Sequence, residues 1–101
     1  MVKNYTTRTK RQMVVVTYDI ADDKRRNRMV KLLEQHGKRI NYSVFECMIT
    51  RKEQENLLDA AAGIIDEKND QIVMYHVCAD CYAKTEYLPR HIHKPDTVVI
   101  A

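Results

Sequence analysis

The sequence predicts an α+β domain in which two helices cover one face of an antiparallel sheet, in the βα, ββ, αβ order of a ferredoxin-like sandwich. Three observations carry this reading. A β-branched run at residues 13–19 ends in a carboxylate, two later stretches place apolar residues at helical spacing behind capping signals, and a second apolar and aromatic run follows at 72–77. With 101 residues the chain forms one domain, and its size limits the apolar surface it can bury alone, so self-association is expected.

Along the first strand, Val14, Val16 and Tyr18 share one face while Met13, Val15, Thr17 and Asp19 share the other. Asp19 therefore stands at the lip of the sheet. There it serves either as a cap for the next turn or as a ligand for a cation or donor, because a buried unpaired carboxylate is costly. Asp22 or Asp23 then caps a helix over 23–36, with apolar Met29, Val30, Leu32 and Leu33, that stops at Gly37. Its polar face carries Arg25, Arg28 and Lys31 about a turn apart.

Residues 39–49 are rich in β-branched and aromatic types with no Gly or Pro to mark a turn, so one bent strand or two short ones both fit. Thr50-Arg51-Lys52-Glu53 is a capping box, and the helix it opens presents Leu57, Leu58, Ala61, Ile64 and Ile65 to the core. Asn69-Asp70 signals a turn before the strand at 72–77. A last β-prone segment, 97–100, follows a loop containing Pro89 and Pro95 and lacks a local partner. It pairs either with its own sheet or with the sheet edge of a second subunit.

Residues 1–12 are polar and basic with Lys3, Arg8, Lys10 and Arg11 and no acid, and they read as a flexible arm or leader before the domain at 13–101. The formal charge of +3 thus becomes −1 without them. Distribution says more than the total. Lys24, Arg25, Arg26, Arg28, Lys31, Lys38 and Arg39 crowd one segment against the single internal acid Glu34, a pattern that suits a polyanion such as nucleic acid and equally an ordinary solvated face. No apolar run reaches membrane-span length and no secretory signal is present, so the expected location is cytoplasmic with no membrane partner.

Three cysteines, two of them two residues apart, fit reduced thiols rather than a disulfide framework. Cys78-Ala79-Asp80-Cys81 with His76, His91 and His93 has the donors of a zinc site, but the second pair is a His-x-His on a Pro-bounded loop, and structural or incidental thiols are favoured. A redox pair belongs at a helix N-terminus, whereas this one follows a strand. No Gly-rich phosphate loop is present, and Ser43 lies in an extended run without a nucleophile elbow, so it reads as a turn or packing residue. Metal-dependent phosphodiester cleavage generally uses several carboxylates, and one Asp19 per chain is too few unless a symmetric dimer brings two copies together around one ion.

Tyr18-Asp19-Ile20, Asp23-Lys24-Arg25-Arg26 and Tyr42-Ser43-Val44-Phe45-Glu46-Cys47, followed by the Cys-x-x-Cys after the last core strand, resemble the CRISPR-associated Cas-two family from Met13 to Ala101. The resemblance implies a ferredoxin-like βαββαβ subunit with an extra C-terminal strand exchanged in a homodimer, and a turn splitting 39–49 near 41–43. It implies a role beside the Cas-one integrase in acquiring spacers. Asp19 matches the family's metal-binding aspartate, usually a Mg²⁺ ligand shared across the dimer axis. Tyr18 and Phe45 match positions tied to nuclease activity, while Arg26, Arg28 and Arg39 match positions tied to activity or nucleic-acid contact. Arg25 and Lys31 join the nucleic-acid set from the helix pattern. Members are described as metal-dependent endonucleases on RNA or DNA and also as non-catalytic DNA-bridging scaffolds, and the resemblance leaves both open. From another class, a ferredoxin-like dimer also suits a small-molecule-sensing regulatory module, which would not require this arginine cluster.

Overall fold

A computed structural model describes residues 10–90 of the chain. Its elements are β1 (Gln12–Asp19), α1 (Asp23–Glu34), β2 (Gly37–Asn41), β3 (Val44–Ile49), α2 (Arg51–Ala62), β4 (Gln71–Val77) and a short α3 (Ala79–Ala83). The four strands form one sheet in the order β2-β3-β1-β4, every neighbouring pair antiparallel. This is the ferredoxin-like order. Of the basic arm expected at 1–12, residues 1–9 lie outside the described residues, as does the expected terminal strand at 97–100 with His91 and His93, whereas Arg11 donates to the Met48 carbonyl at 3.3 Å and pairs with Glu53 at 3.0 Å and Gln12 is the first residue of β1.

The alternation in β1 decides which face is covered. Val14, Val16 and Tyr18 are buried with Ile20, with Met29 and Leu33 of α1, with Phe45, Cys47 and Ile49 of β3, and with Leu57 and Ala61 of α2. Asp22 is the N-cap of α1, its side chain accepting from the Arg25 N–H. The capping box of α2 forms as the sequence implies: Thr50 Oγ1 accepts from the Glu53 N–H at 3.1 Å, and the Glu53 carboxylate accepts from the Thr50 N–H at 2.9 Å. Leu58, expected in the core, is 48% exposed. It falls just outside the arc that Leu57 and Ala61 bury, because helical neighbours in sequence point about 100° apart.

Helix α1 ends at Glu34, two residues before the expected end, with Gln35 as its C-cap. Gly37 is not the helix stop. It opens β2 and pairs with Cys47, and a Cβ at this position would lie 2.3 Å from the Glu46 carbonyl oxygen and 2.5 Å from Cys47 Sγ. The glycine is needed for close approach of two strands rather than for a left-handed cap. Residues 39–49 resolve into two strands joined by a turn at Tyr42 and Ser43, with a register shift between Arg39 and Asn41 that marks a bulge near Ile40.

The opposite face of the sheet carries Val15, Thr17, Val44, Glu46, Val73 and Tyr75, paired across strands in that register. Helix α3 rests against β1 with Tyr82 buried. Beyond it the Tyr87 hydroxyl donates to both oxygens of Glu46, at 2.7 and 2.8 Å, so the chain after α3 is tied back to β3.

Candidate functional site

Asp19 is the last residue of β1 and its side chain is exposed. Its Cα partner on β4 is Gln71, and on the other side β1 ends beside the turn of the β2–β3 hairpin. That turn is bound to β1 twice: the Tyr18 N–H donates to the Ser43 carbonyl at 3.2 Å, and the Tyr18 hydroxyl donates to the Tyr42 carbonyl at 2.6 Å. The same carbonyl accepts from Arg39 Nη2 at 2.8 Å, and the Arg39 guanidinium lies 5.7 Å from the centroid of the Tyr42 ring. Tyr42 is 83% exposed. The carboxylate thus stands at one end of the sheet, and a cation and an open aromatic ring stand on the adjoining hairpin. Ser43 is a turn residue, as its sequence context suggested.

The loop that carries the chain from Asp19 into α1 is held by a buried carboxylate, Asp70. It accepts from the Ala21 N–H at 3.1 Å, from the Asp66 N–H at 2.9 Å, and from Arg25 Nε at 2.7 Å and Nη2 at 3.2 Å. With two bonds from one guanidinium and two from backbone donors, this carboxylate joins the β1–α1 loop, the first turn of α1 and the α2–β4 loop. In the sequence Asp70 stands only as a turn signal after Asn69. The Arg25 hydrogen bond, then the backbone donors, hold its carboxyl well below the usual carboxylate range against the opposing effect of desolvation.

A carboxyl whose folded-state pKa is depressed contributes stability that is present above its unfolded value near 3.8 and is lost as pH falls through the folded value. The parent is therefore expected to melt at a higher temperature than Asp70→Asn near pH 7, with the gap closing progressively below about pH 4. Thermal melts of both proteins across that range provide the measurement. A gap that stays constant into strong acid would show that the ion pair contributes nothing.

The nucleic-acid candidates divide. Arg25 is committed to Asp70, and Arg26 donates to the Ile20 carbonyl at 2.9 Å while pairing with Asp23, so both arginines shape the loop behind Asp19. Arg28 and Lys31 are exposed, and with Lys24 they fall on the stripe of α1 opposite Met29 and Leu33. Arg39 is exposed at the hairpin. Of the residues named as catalytic, only Asp19 is open to solvent. Tyr18 is 5% exposed and supports the turn through its hydroxyl, and Phe45 is 0% exposed in the core. Alternation along β3 turns the Phe45 ring toward the helices, so it packs in the core.

Among the described residues no group of three or more His, Cys, Asp or Glu side chains is gathered as for a metal ion. All three cysteines are free. Cys78 is the N-cap of α3 and Cys81 lies in its first turn, so the pair does occupy a helix start, which its position after a strand had argued against. No helix among the described residues is long and apolar enough to cross a membrane.

Comparison with known proteins agrees with this architecture. Residues 12–85 match the family model described as CRISPR associated protein Cas2. The chain is 36% identical over 81 residues to a protein of Rhodospirillum rubrum named CRISPR-associated endoribonuclease Cas2 4, a match that covers 80% of this chain and 65% of that relative's length. It is similar to the crystal structure of Streptococcus pyogenes Cas2, with a TM-score of 0.68 and 36% identity over 75% of this chain and 98% of that one. The fold also matches a chain of a partial Cas6-RT-Cas1–Cas2 complex, with a TM-score of 0.67 at 22% identity over 87% of this chain and 98% of that one.

Proposed function

The chain belongs to the CRISPR-associated Cas2 family, and from that premise we propose that it is a homodimeric nucleic-acid-binding protein of CRISPR adaptation. It acts beside the Cas-one integrase and carries a divalent-metal endonuclease site for RNA or DNA at Asp19. The observation that carries the chemical part is the exposed Asp19 carboxylate at the end of β1, flanked by the Arg39 and Tyr42 hairpin and backed by a loop that Asp70 and Arg26 hold in place. The names of relatives as endoribonucleases support the same reading.

A carboxylate is a hard oxygen donor, and its exposure suits Mg²⁺, which keeps several waters and takes only one or two protein carboxylates. One Asp19 per chain is half of such a site, and a second copy of the chain brings the other half across a two-fold axis. Asp19 of each copy would hold the ion, which would supply Lewis-acid chemistry toward a phosphodiester. Arg28, Lys31 and Arg39 bind phosphates without reading bases. The scaffold role uses the same basic surface. The family assignment removes the ground for the small-molecule-sensing alternative.

Two features support the dimer. The sheet face away from the helices carries the apolar Val15, Val44 and Val73 only partly covered within one chain, and Tyr75 is 57% exposed. β4 is an edge of the sheet, available to a further strand such as 97–100 of a second copy. Deleting residues 96–101 is expected to loosen or abolish the dimer in light scattering. A monomeric full-length chain, or an unchanged dimer after truncation, counts against strand exchange.

Titration of labelled duplex DNA at several salt concentrations tests nucleic-acid binding. Affinity is expected to fall steeply with salt, and Arg28→Ala or Lys31→Ala should each weaken binding uniformly across sequences and reduce the salt slope by about one per protomer in contact with the duplex. Salt-independent affinity rules out the phosphate mechanism.

A further inference from the structure

None of the functions above uses Cys78 and Cys81. β4 ends at Val77, Cys78 caps α3 in extended backbone with φ −70° and ψ 164°, and the chain turns so that the Cys81 N–H donates to Cys78 Sγ at 3.4 Å. Both residues are exposed. Cα atoms three residues apart on a helical turn stand roughly 5 Å apart, within the roughly 4.4–6.8 Å Cα span of protein disulfides. The remaining cysteine, Cys47, is fully buried, and burial with the neighbouring Glu46 charge pushes its thiol up to about 11. The two exposed thiols therefore have each other as the nearest reactive partner and an inert third cysteine as an internal reference.

We propose that Cys78 and Cys81 are a reversible dithiol–disulfide pair that exchanges with low-molecular-weight disulfides of the glutathione class. In the first step the Cys78 thiolate attacks one sulfur of the small disulfide, a Cys78–S–S–R bond forms, and the other half leaves as a thiolate that takes up the proton Cys78 released. In the second, Cys81 loses its proton and attacks Cys78 Sγ, forming the intrachain bond and releasing the second small thiolate, which takes that proton. The protein dithiol loses two electrons and two protons, and the small disulfide becomes two thiols.

The order of attack follows from the local geometry. Cys78 Sγ accepts from the Cys81 N–H, and this bond is the largest of the effects that hold its thiol below the usual range. Cys81, donating toward that sulfur, is raised. The bridge would close the first turn of the element that buries Tyr82 and leads to the Tyr87–Glu46 bond, so oxidation would stiffen the exit of the chain from the sheet.

The test uses the full-length protein equilibrated in glutathione buffers from fully reduced to fully oxidised, then acid-quenched, alkylated and weighed. The expected oxidised product is lighter by two hydrogens, takes no label at Cys78 or Cys81, contains a peptide joining them, and reverts in reduced buffer. Cys78→Ser and Cys81→Ser each lose this product. Serine is itself a good N-cap, so the first variant retains α3. Cys81→Ser traps glutathione on Cys78 faster than Cys78→Ser does on Cys81, an asymmetry that mere exposure of two thiols would not produce. Full alkylation of both cysteines in the oxidised buffer overturns the proposal. So do disulfides found only between chains, and so does protection of both thiols by added zinc without any bridge in the oxidised buffer.

Discussion

Asp19→Asn is expected to reduce divalent-metal-dependent cleavage of RNA or DNA to background while the protein stays folded, dimeric and able to bind nucleic acid. The side chain is exposed at the end of β1, so the amide replaces it without opening a cavity, and the loop behind it is held by Asp70, Arg25 and Arg26 rather than by Asp19. What changes is charge. An amide keeps the shape of the carboxylate but binds a hard divalent cation far more weakly, and in a symmetric dimer both halves of the shared site are lost together. Cleavage assays with added Mg²⁺ and a salt titration on the same preparation separate the two properties. A variant that cleaves as well as the parent places the activity elsewhere or in a contaminant. In a spacer-integration assay containing the integrase partner, integration is expected to survive, because Arg28, Lys31, Arg39 and the dimer are untouched. Loss of integration by a folded, dimeric Asp19→Asn protein would refute the scaffold reading and make the metal site central to it.

Phe45→Ala is expected to lower stability by about 3–5 kcal/mol, the range for removing a fully buried phenyl ring. For a domain of this size that corresponds to a fall in melting temperature of ten degrees or more, on the order of 4–8 °C per kcal/mol. Phe45 is 0% exposed, its ring centroid lies 6.4 Å from that of Tyr18, and it shares the core with Met29, Leu33 and Leu57. The alanine variant leaves a cavity between sheet and helices, and any loss of activity should follow the loss of folded protein. Phe45→Leu retains most of the volume and is expected to keep both fold and activity. Melts at fixed protein concentration, needed because dimerisation contributes to apparent stability, decide the matter. An alanine variant with parental melting temperature and no activity would return Phe45 to the chemistry.

Much of the architecture was legible in the letters because it follows from local rules. Period-two alternation assigned Val14, Val16 and Tyr18 to one face of β1, and 3.6-residue spacing found Met29, Leu33, Leu57 and Ala61, all of which are buried. Thr50 and Glu53 announced the start of α2 through a reciprocal bond closed within four residues. The exposed place of Asp19 at the strand end followed from the same alternation.

Other residues were decided by partners distant in sequence. Gly37 reads as a helix stop from its neighbours, and only the arrival of Glu46 and Cys47 from β3 shows that it is small because another backbone passes there. Arg25 reads as one more cation in a basic cluster, and Asp70 as one more turn residue. Their bond spans 45 residues and makes the first a support of the loop behind Asp19. The Cys-x-x-Cys spacing was visible, but its location at the start of α3 depended on where β4 stopped and the chain turned. Patterning of apolar residues and self-contained caps thus determined the elements, the covered sheet face and the exposed carboxylate. Which partners the charged and small side chains take within the chain was decided by the tertiary fold, because those partners come from segments distant in sequence that meet only once the chain is packed.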